Sequence, residues 1–280
     1  MATLYTSETI AQGIANTRRC LHTHDTLDTL RTVATTIGYL TDTHLRKHVP
    51  GTSAVETRRC RKMPDLIPRA LARMREASPV MIVCTGDVVD VSTGPGAIED
   101  LKLCRRLLDE CRLPYIILPG NHDPLPDDFY RFFPVPERKT VLNDCELICF
   151  HDDACFNGEQ TSRRGVQSLG EMTELLGQPG CSPRAAVLLQ HYIVYPDLRK
   201  GYPHNYENDD EIRGILERSN RRLLSISGHY HPGIPLTEHS GVSYLAGRAF
   251  CEAPHTCYII SISGERILVE GLDIGEEADS

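Results

Sequence analysis

Val80-Met81-Ile82-Val83-Cys84-Thr85-Gly86-Asp87-Val88-Val89-Asp90 is the stretch on which the reading of this chain turns. It opens as an apolar, largely β-branched run and breaks at Gly-Asp. A short continuous apolar run bounded in this way reads as a strand buried on both faces. Its C-terminal tip then carries the carboxylate of Asp87. In open α/β sheets, ligands lie beyond the carboxyl ends of the strands.

Working outward, the same arrangement recurs four times. Thr36-Ile37-Gly38-Tyr39-Leu40 runs into Asp42-Thr43-His44. Tyr115-Ile116-Ile117-Leu118 runs into Gly120-Asn121-His122-Asp123. Ala186-Val187-Leu188-Leu189 ends at Gln190-His191, and Leu223-Leu224-Ser225-Ile226-Ser227 ends at Gly228-His229-Tyr230-His231. Five strand tips carrying Asp, Asn or His are thus expected to meet in one cleft.

Between the strands, apolar residues recur at helical spacing from Pro64 to Met74, from Ala97 to Cys111, from Gly165 to Leu176 and from Glu211 to Arg222. This strand–helix–strand rhythm implies parallel pairing with right-handed crossovers. Gly38 marks a bulge or a close backbone approach. Val141 to Phe150 reads as one or two strands around Asn143-Asp144. Val242–Ala246, Thr256–Ser263 and Arg266–Leu272 read as antiparallel strands, with a hairpin turn at Gly264-Glu265. A short helix is expected near Ser7 to Arg18, and His22, His24 and Asp25 read as a solvated lead-in. The organisation expected is an extension over residues 1–31, one domain over 32–274 and an acidic tail over 275–280.

Net charge is −8 over 280 residues, which argues against a broad duplex-DNA footprint. Eleven cysteines occur without a Cys-x-x-Cys pair, so neither a zinc ribbon nor a thioredoxin motif is indicated. Cys84 and Cys149 sit in apolar runs and read as core residues. The expectation is a reduced, cytoplasmic chain. No signal peptide is expected from Met1 to Arg19, and no apolar run is long enough to span a bilayer as a helix.

Each motif is weak by itself. Asp42-x-His44 and His229-x-His231 place two donors on one side of an extended chain, yet either pair arises by chance. Together they supply N and O donors at successive strand tips, with no thiolate. Such a set suits Mn, Fe or Zn centres better than a structural zinc site.

The order Asp42-x-His44, Gly86-Asp87-x-x-Asp90, Gly120-Asn121-His122-Asp123, His191, Gly228-His229-x-His231 resembles the calcineurin-like metallophosphoesterases, over about Thr32 to Leu272. The resemblance implies an α/β fold, the four-layer αββα sandwich of two mixed sheets flanked by helices. It implies two metal ions, divalent or trivalent. Asp42, His44 and His231 would hold one, Asn121, His191 and His229 the other, and Asp87 would bridge them. His122 would face the substrate as an acid or charge clamp, with Asp90 orienting it. The implied activity is a binuclear metal-dependent phosphohydrolase in which hydroxide attacks phosphorus in line.

Within that superfamily the pattern is most similar to bacterial cyclic-nucleotide and glycerophosphodiester phosphodiesterases. His151-Asp152-Asp153 and Gly165-Val166-Gln167 contribute to this similarity. The expected substrate is a small organic phosphodiester, with cyclic nucleotides among the candidates. A phosphomonoesterase, acting on nucleotides or proteins, is the alternative, and a metal-free binding scaffold is a third reading. No membrane or duplex partner is expected; a homo-oligomer is left open. Gln190-His191-Tyr192-Ile193 departs from the doubled His and Pro-Pro common in that branch. Asp123 reads as a helix cap or an outer hydrogen-bond acceptor. Arg58, Arg59, Arg61 and Lys62 read as a solvated helix start in preference to a phosphate site. His204 and His239 read as solvent-facing, and Tyr192, Tyr195, Tyr202, Tyr206 and Tyr230 as rim tyrosines or a stacking platform.

Overall fold

The computed structural model describes residues 34–143, 145–151, 161–177, 185–263 and 266–275. The expected N-terminal helix, His22, His24, Asp25, Asp144, the aspartates at 152 and 153, the loop 178–183, the hairpin turn 264–265 and tail residues 276–280 lie outside them.

The strands fall into two sheets. β1 (Thr35–Leu40), β2 (Met81–Cys84), β3 (Tyr115–Ile117), β10 (Thr256–Ile262) and β11 (Ile267–Asp273) form the first, in the order β11-β10-β1-β2-β3. β4 (Lys139–Leu142), β5 (Cys145–Cys149), β6 (Ala185–Leu189), β7 (Arg222–Ser227), β8 (Ile234–His239) and β9 (Val242–Ala246) form the second, in the order β4-β5-β6-β7-β9-β8. Both are mixed. β1, β2 and β3 run parallel, as do β5, β6, β7 and β9, while the outer strands are antiparallel.

Alternation along each strand assigns the layers. In β2, Met81 and Val83 point between the sheets, where Leu147, Val187, Leu189 and Ile226 meet them. Ile82 and Cys84 point outward and pack under the helices Met63–Arg75 and Ala97–Glu110. In β6, Val187 and Leu189 face inward, while Ala186 and Leu188 pack against Met172, Leu176, Ile212 and Leu216. Those four belong to the helices Val166–Gly177 and Asp209–Glu217. Two buried faces explain why these strands are apolar throughout. Burying each large aliphatic side chain contributes about 1.5–3 kcal/mol before conformational entropy is counted.

At Gly38 the close approach is by side chains in place of backbone: a Cβ there would lie 2.7 Å from Ile82 Cδ1 and 2.9 Å from Met74 Sδ. Cys84 and Cys149 are core residues as expected.

Two expectations change, and β8 has no counterpart among the expected strands. Val242–Ala246 runs parallel to β7 and antiparallel only to β8. β8 itself carries no alternating apolar signal, because it is an edge strand with exposed residues and Pro235, which an edge tolerates. The helix expected to reach Arg222 ends at Glu217, because Arg222 begins β7.

A candidate dimetal centre

The tips of β1, β2 and β3 come from one sheet and those of β6 and β7 from the other, so the site lies where the sheets' carboxyl ends meet. Main-chain hydrogen bonds weld the tips. Asp42 N donates to Gly86 O (3.0 Å), His44 N to Asp87 O (2.9 Å) and Gly228 N to His191 O (2.9 Å). Across the sheets, His229 N donates to both Asp42 carboxylate oxygens at 3.1 Å, and Phe250 N to Thr41 O at 2.9 Å.

The backbone here is strained. Asp42, His44, Asp87 and His229 have φ of 52°, 43°, 51° and 65°. Left-handed conformations at non-glycine residues cost about 1–3 kcal/mol each and persist only where surroundings enforce them. Crowding is equally tight at Gly120, where a methyl group would collide with the Asp87 side chain and main chain and with His191. The glycine before Asn121-His122 is therefore a packing requirement.

Two clusters share one carboxylate. Donor atoms of Asp42, His44, Asp87 and His231 lie within 4.8 Å of one another, and so do those of Asp87, His191 and His229. Asp87 Oδ2 is 3.5 Å from His44 Nε2, and its Oδ1 is 3.5 Å from His191 Nε2. Asn121 Oδ1 sits 3.1 Å from His191 Nε2, which places it with the second cluster. All seven expected ligand side chains are brought together.

Neighbours set the orientation of the rings. His191 Nδ1 donates to Thr85 O at 2.7 Å, and His231 Nδ1 donates to Glu252 Oε1 at 2.7 Å. Each Nε2 is thereby turned to the centre. His44 Nε2 and His231 Nε2 converge to 3.2 Å. His229 Nε2 is buried with no hydrogen-bond partner, an orphaned donor atom aimed into the cluster. Converging nitrogens, an orphan lone pair and carboxylate oxygens fit two cations. Cys251 also lies by His231 and Glu252, but burial pushes its thiol well above the usual range, so it is neutral.

Electrostatics agree with this fit. Burial pushes the His44 and His229 imidazoles well below the usual range, so both are neutral and able to ligate. Burial opposes ionisation of Asp87, yet His191, His44 and His122 outweigh it and hold the carboxyl well below its usual range. The same pairing outweighs burial at His191 and lifts it to about 9. Burial raises Asp42, with His191 opposing it.

His122 lies beside the clusters, its ring 4.6 Å from that of His44. Its main-chain N–H donates to Asp87 Oδ1 at 2.9 Å, and its Nδ1 donates to the main-chain carbonyl of Asp90 at 3.0 Å. Asp90 thus meets His122 through its carbonyl, because its carboxylate is engaged elsewhere. It accepts from Arg46 Nη1 (2.7 Å), Ser53 Oγ (3.0 Å) and Arg58 Nη1 (3.3 Å). Asp123 is no helix cap. It accepts from the N–H groups of Val88, Val89 and Gly120 and ties the Asp87 turn to the Asn121 turn. Burial, with Asp87 nearby, raises it to about 7.

Several neighbours of the site have no signature in the sequence. Arg58 was expected in solvent but turns inward. His204 packs against His229 and Tyr230, with ring centroids at 5.5 and 4.9 Å. Apart from these, His239 is exposed as expected and stacks on Tyr195 at 4.3 Å. Tyr192 and Tyr206 are buried in the core, leaving Tyr202 and Tyr230 at the rim. Glu252 orients His231 from a segment without a motif, and the Thr85 carbonyl orients His191 from just before Gly86-Asp87.

A search of curated protein sequences finds no match. Solved structures share the fold at low identity. A dimetal phosphatase from Danio rerio is 16% identical with a TM-score of 0.70, over 86% of this chain and 97% of that one. A purple acid phosphatase from yellow lupin seeds is 10% identical with a TM-score of 0.61, over 87% of this chain and 52% of that one, so the chain spans about half its length. A calcineurin-like phosphoesterase from Bacillus subtilis is 11% identical with a TM-score of 0.51, over 86% and 91%. The family model for calcineurin-like phosphoesterase matches residues 35–233, a span that takes in all five ligand-bearing tips. With donors, strand tips and sheet order in agreement, the chain belongs to the calcineurin-like phosphoesterases.

Proposed function

We propose that the protein hydrolyses small organic phosphodiesters at a two-metal centre. Asp42, His44 and His231 would hold one ion, Asn121, His191 and His229 the other, with Asp87 shared between the two sets. The carrying observation is that the two oxygens of Asp87 face separate nitrogen clusters. When bound, the ions supply Lewis-acid charge and ionise water near neutral pH.

The chain's own groups do the rest. With Nδ1 donating to Asp90, His122 keeps Nε2 for the ester, where it delivers a proton to the leaving oxygen. The Asp87 contact to the His122 main chain holds that ring in place.

Two clefts support a diester. One, of about 530 Å³, has Asn121 in its wall and is otherwise largely apolar, with Ile98, Leu101 and Phe132. The other, of about 500 Å³, contains His204 and Tyr230 with Arg199 and Lys200. A diester has two organic arms and a monoester one. The monoester reading draws on the phosphatases among the structural neighbours. The test is turnover of metal-loaded protein on bis-p-nitrophenyl phosphate, p-nitrophenyl phosphate, cyclic nucleotides and glycerophosphodiesters. A diester kcat/KM about tenfold or more above the monoester value is expected. The reverse order overturns the diester reading.

No described helix is long and apolar enough to cross a membrane. A cytoplasmic location draws on the eight described cysteines, which are buried and form no disulfide with one another.

Metal loading should be linked to protons. His191 lies at about 9 in the metal-free chain, so at pH 7 it carries a proton that must leave before its Nε2 can ligate. Loading at pH 7 is expected to release about one proton from this site, and release should vanish above about pH 9. Calorimetry in buffers of different ionisation enthalpy measures it. The metal-free fold behaves oppositely. A histidine raised above its unfolded value of 6.5 contributes stability that is full below about 6.5 and lost as pH rises through about 9.

A further inference from the structure

The geometry points to Arg58 as an oxyanion subsite that grips a phosphoryl oxygen of the substrate at the dimetal centre. The inference rests on the two-metal reading above and adds a residue that the ligand motifs do not contain.

Arg58 is nearly buried, its side chain 12% exposed. Its Nη1 reaches Asp90 Oδ1 at 3.3 Å and His44 Nδ1 at 3.4 Å, its Nη2 reaches His231 Nε2 at 3.5 Å, and its Nε is buried with no partner. One arm of the fork is anchored behind His44, and the other enters the space that the first metal cluster surrounds.

The two imidazole contacts belong to the metal-free state. His231 donates through Nδ1 to Glu252, so the lone pair that Nη2 approaches on Nε2 is the one a cation would take. If His44 ligates through Nε2, its proton sits on Nδ1, which can no longer accept from Nη1. A loaded centre therefore leaves Arg58 with Asp90 as its acceptor, while the buried Nε has none and Nη2 has lost its own. Unpaired buried donors are costly. The anion a phosphoesterase brings to this place is a phosphoryl group, and the planar guanidinium fork matches its oxygens.

The clamp is held ready before substrate arrives. Arg46 and Ser53 fix the Asp90 carboxylate that anchors Nη1. Arg59 N donates to Cys251 O at 2.7 Å, and Arg61 Nη1 donates to Lys47 O at 2.7 Å, which pin the chain just after Arg58. Donors fixed in advance are the kind that stabilise developing charge most. The loop reads as solvated because Arg58 shares its composition with exposed Arg59.

The test uses the full, metal-loaded chain with inorganic phosphate as the probe. Arg58→Gln removes the charge and the fork and keeps a polar side chain. It is expected to retain the wild-type metal content, bind phosphate at least about tenfold more weakly by calorimetry, and raise KM for bis-p-nitrophenyl phosphate as well as lower kcat. Arg58→Lys, which restores charge without the fork, should recover part of the phosphate affinity. Arg59→Gln, which removes an exposed charge one residue away, should leave that affinity alone. Unchanged phosphate affinity and KM in Arg58→Gln, with wild type loaded and active, overturn this inference and leave the two-metal reading standing. Loss of metal in Arg58→Gln assigns the residue to the integrity of the centre and also overturns the clamp. A wild-type chain that takes up no metal overturns the two-metal reading and this inference with it.

Discussion

Asp87→Asn is expected to fold, to bind fewer than two metal ions per chain and to lose at least about three orders of magnitude in kcat/KM. The reason is the division of labour within one carboxylate. Oδ2 faces His44 and Oδ1 faces His191, each at 3.5 Å, and Oδ1 also accepts the His122 N–H. An amide offers one oxygen without full charge and turns an N–H toward one of the nitrogen clusters. It thus removes both the bridging charge and one donor atom, while its near-identical size preserves packing. In the metal-free chain the substitution also deprives His191 of the largest of the partners that raise it, so the proton release at pH 7 on loading should shrink. Metal content by plasma mass spectrometry, with circular dichroism to verify folding, checks the result. Two tightly held ions and ordinary turnover in Asp87→Asn would remove the bridging role.

His122→Ala should leave both ions in place and lower kcat by about 10²–10⁴. His122 is in neither nitrogen cluster around Asp87, and its ring is held by the Asp90 carbonyl through Nδ1. The choice of leaving group separates its possible roles. As a proton donor, its removal should hurt an alkyl diester far more than a p-nitrophenyl diester, whose leaving oxygen needs no proton. As a charge clamp, its removal should hurt both alike. Wild-type rates on both substrates would show that it takes no part in the reaction. Because Asp123 ties the two turns together from beneath, the His122 main chain should stay in position in this variant.

The donors were legible because each is written locally. An apolar run followed by Gly-Asp or Gly-Asn-His signals a strand end and a side chain that can bind, and period-two burial on both faces makes the run continuous. The glycines were legible too, although their reason is spatial: Gly120 must admit the Asp87 side chain, and Gly38 must admit Met74 and Ile82.

Elsewhere local pattern was silent or misleading. β8 has neither alternation nor a buried face, so nothing in its six residues separates it from a loop. Arg58 and Arg59 are neighbours of the same kind, and only the fold turns one inward and leaves the other in solvent. Asp90 was legible as a partner of His122, but the atom involved was not, because its carboxylate is claimed by Arg46, Ser53 and Arg58. Glu252 orients His231 from a segment with no recurring motif.

By itself, the sequence determined which side chains gather at the candidate centre and that they stand at strand tips, since periodicity and turn chemistry act over a few neighbouring residues. Tertiary structure alone decided that three tips come from one sheet and two from the other. It also decided which outer groups hold the ligands in place, because contacts between segments far apart in the chain depend on how the sheets pack and leave no periodic trace in either segment.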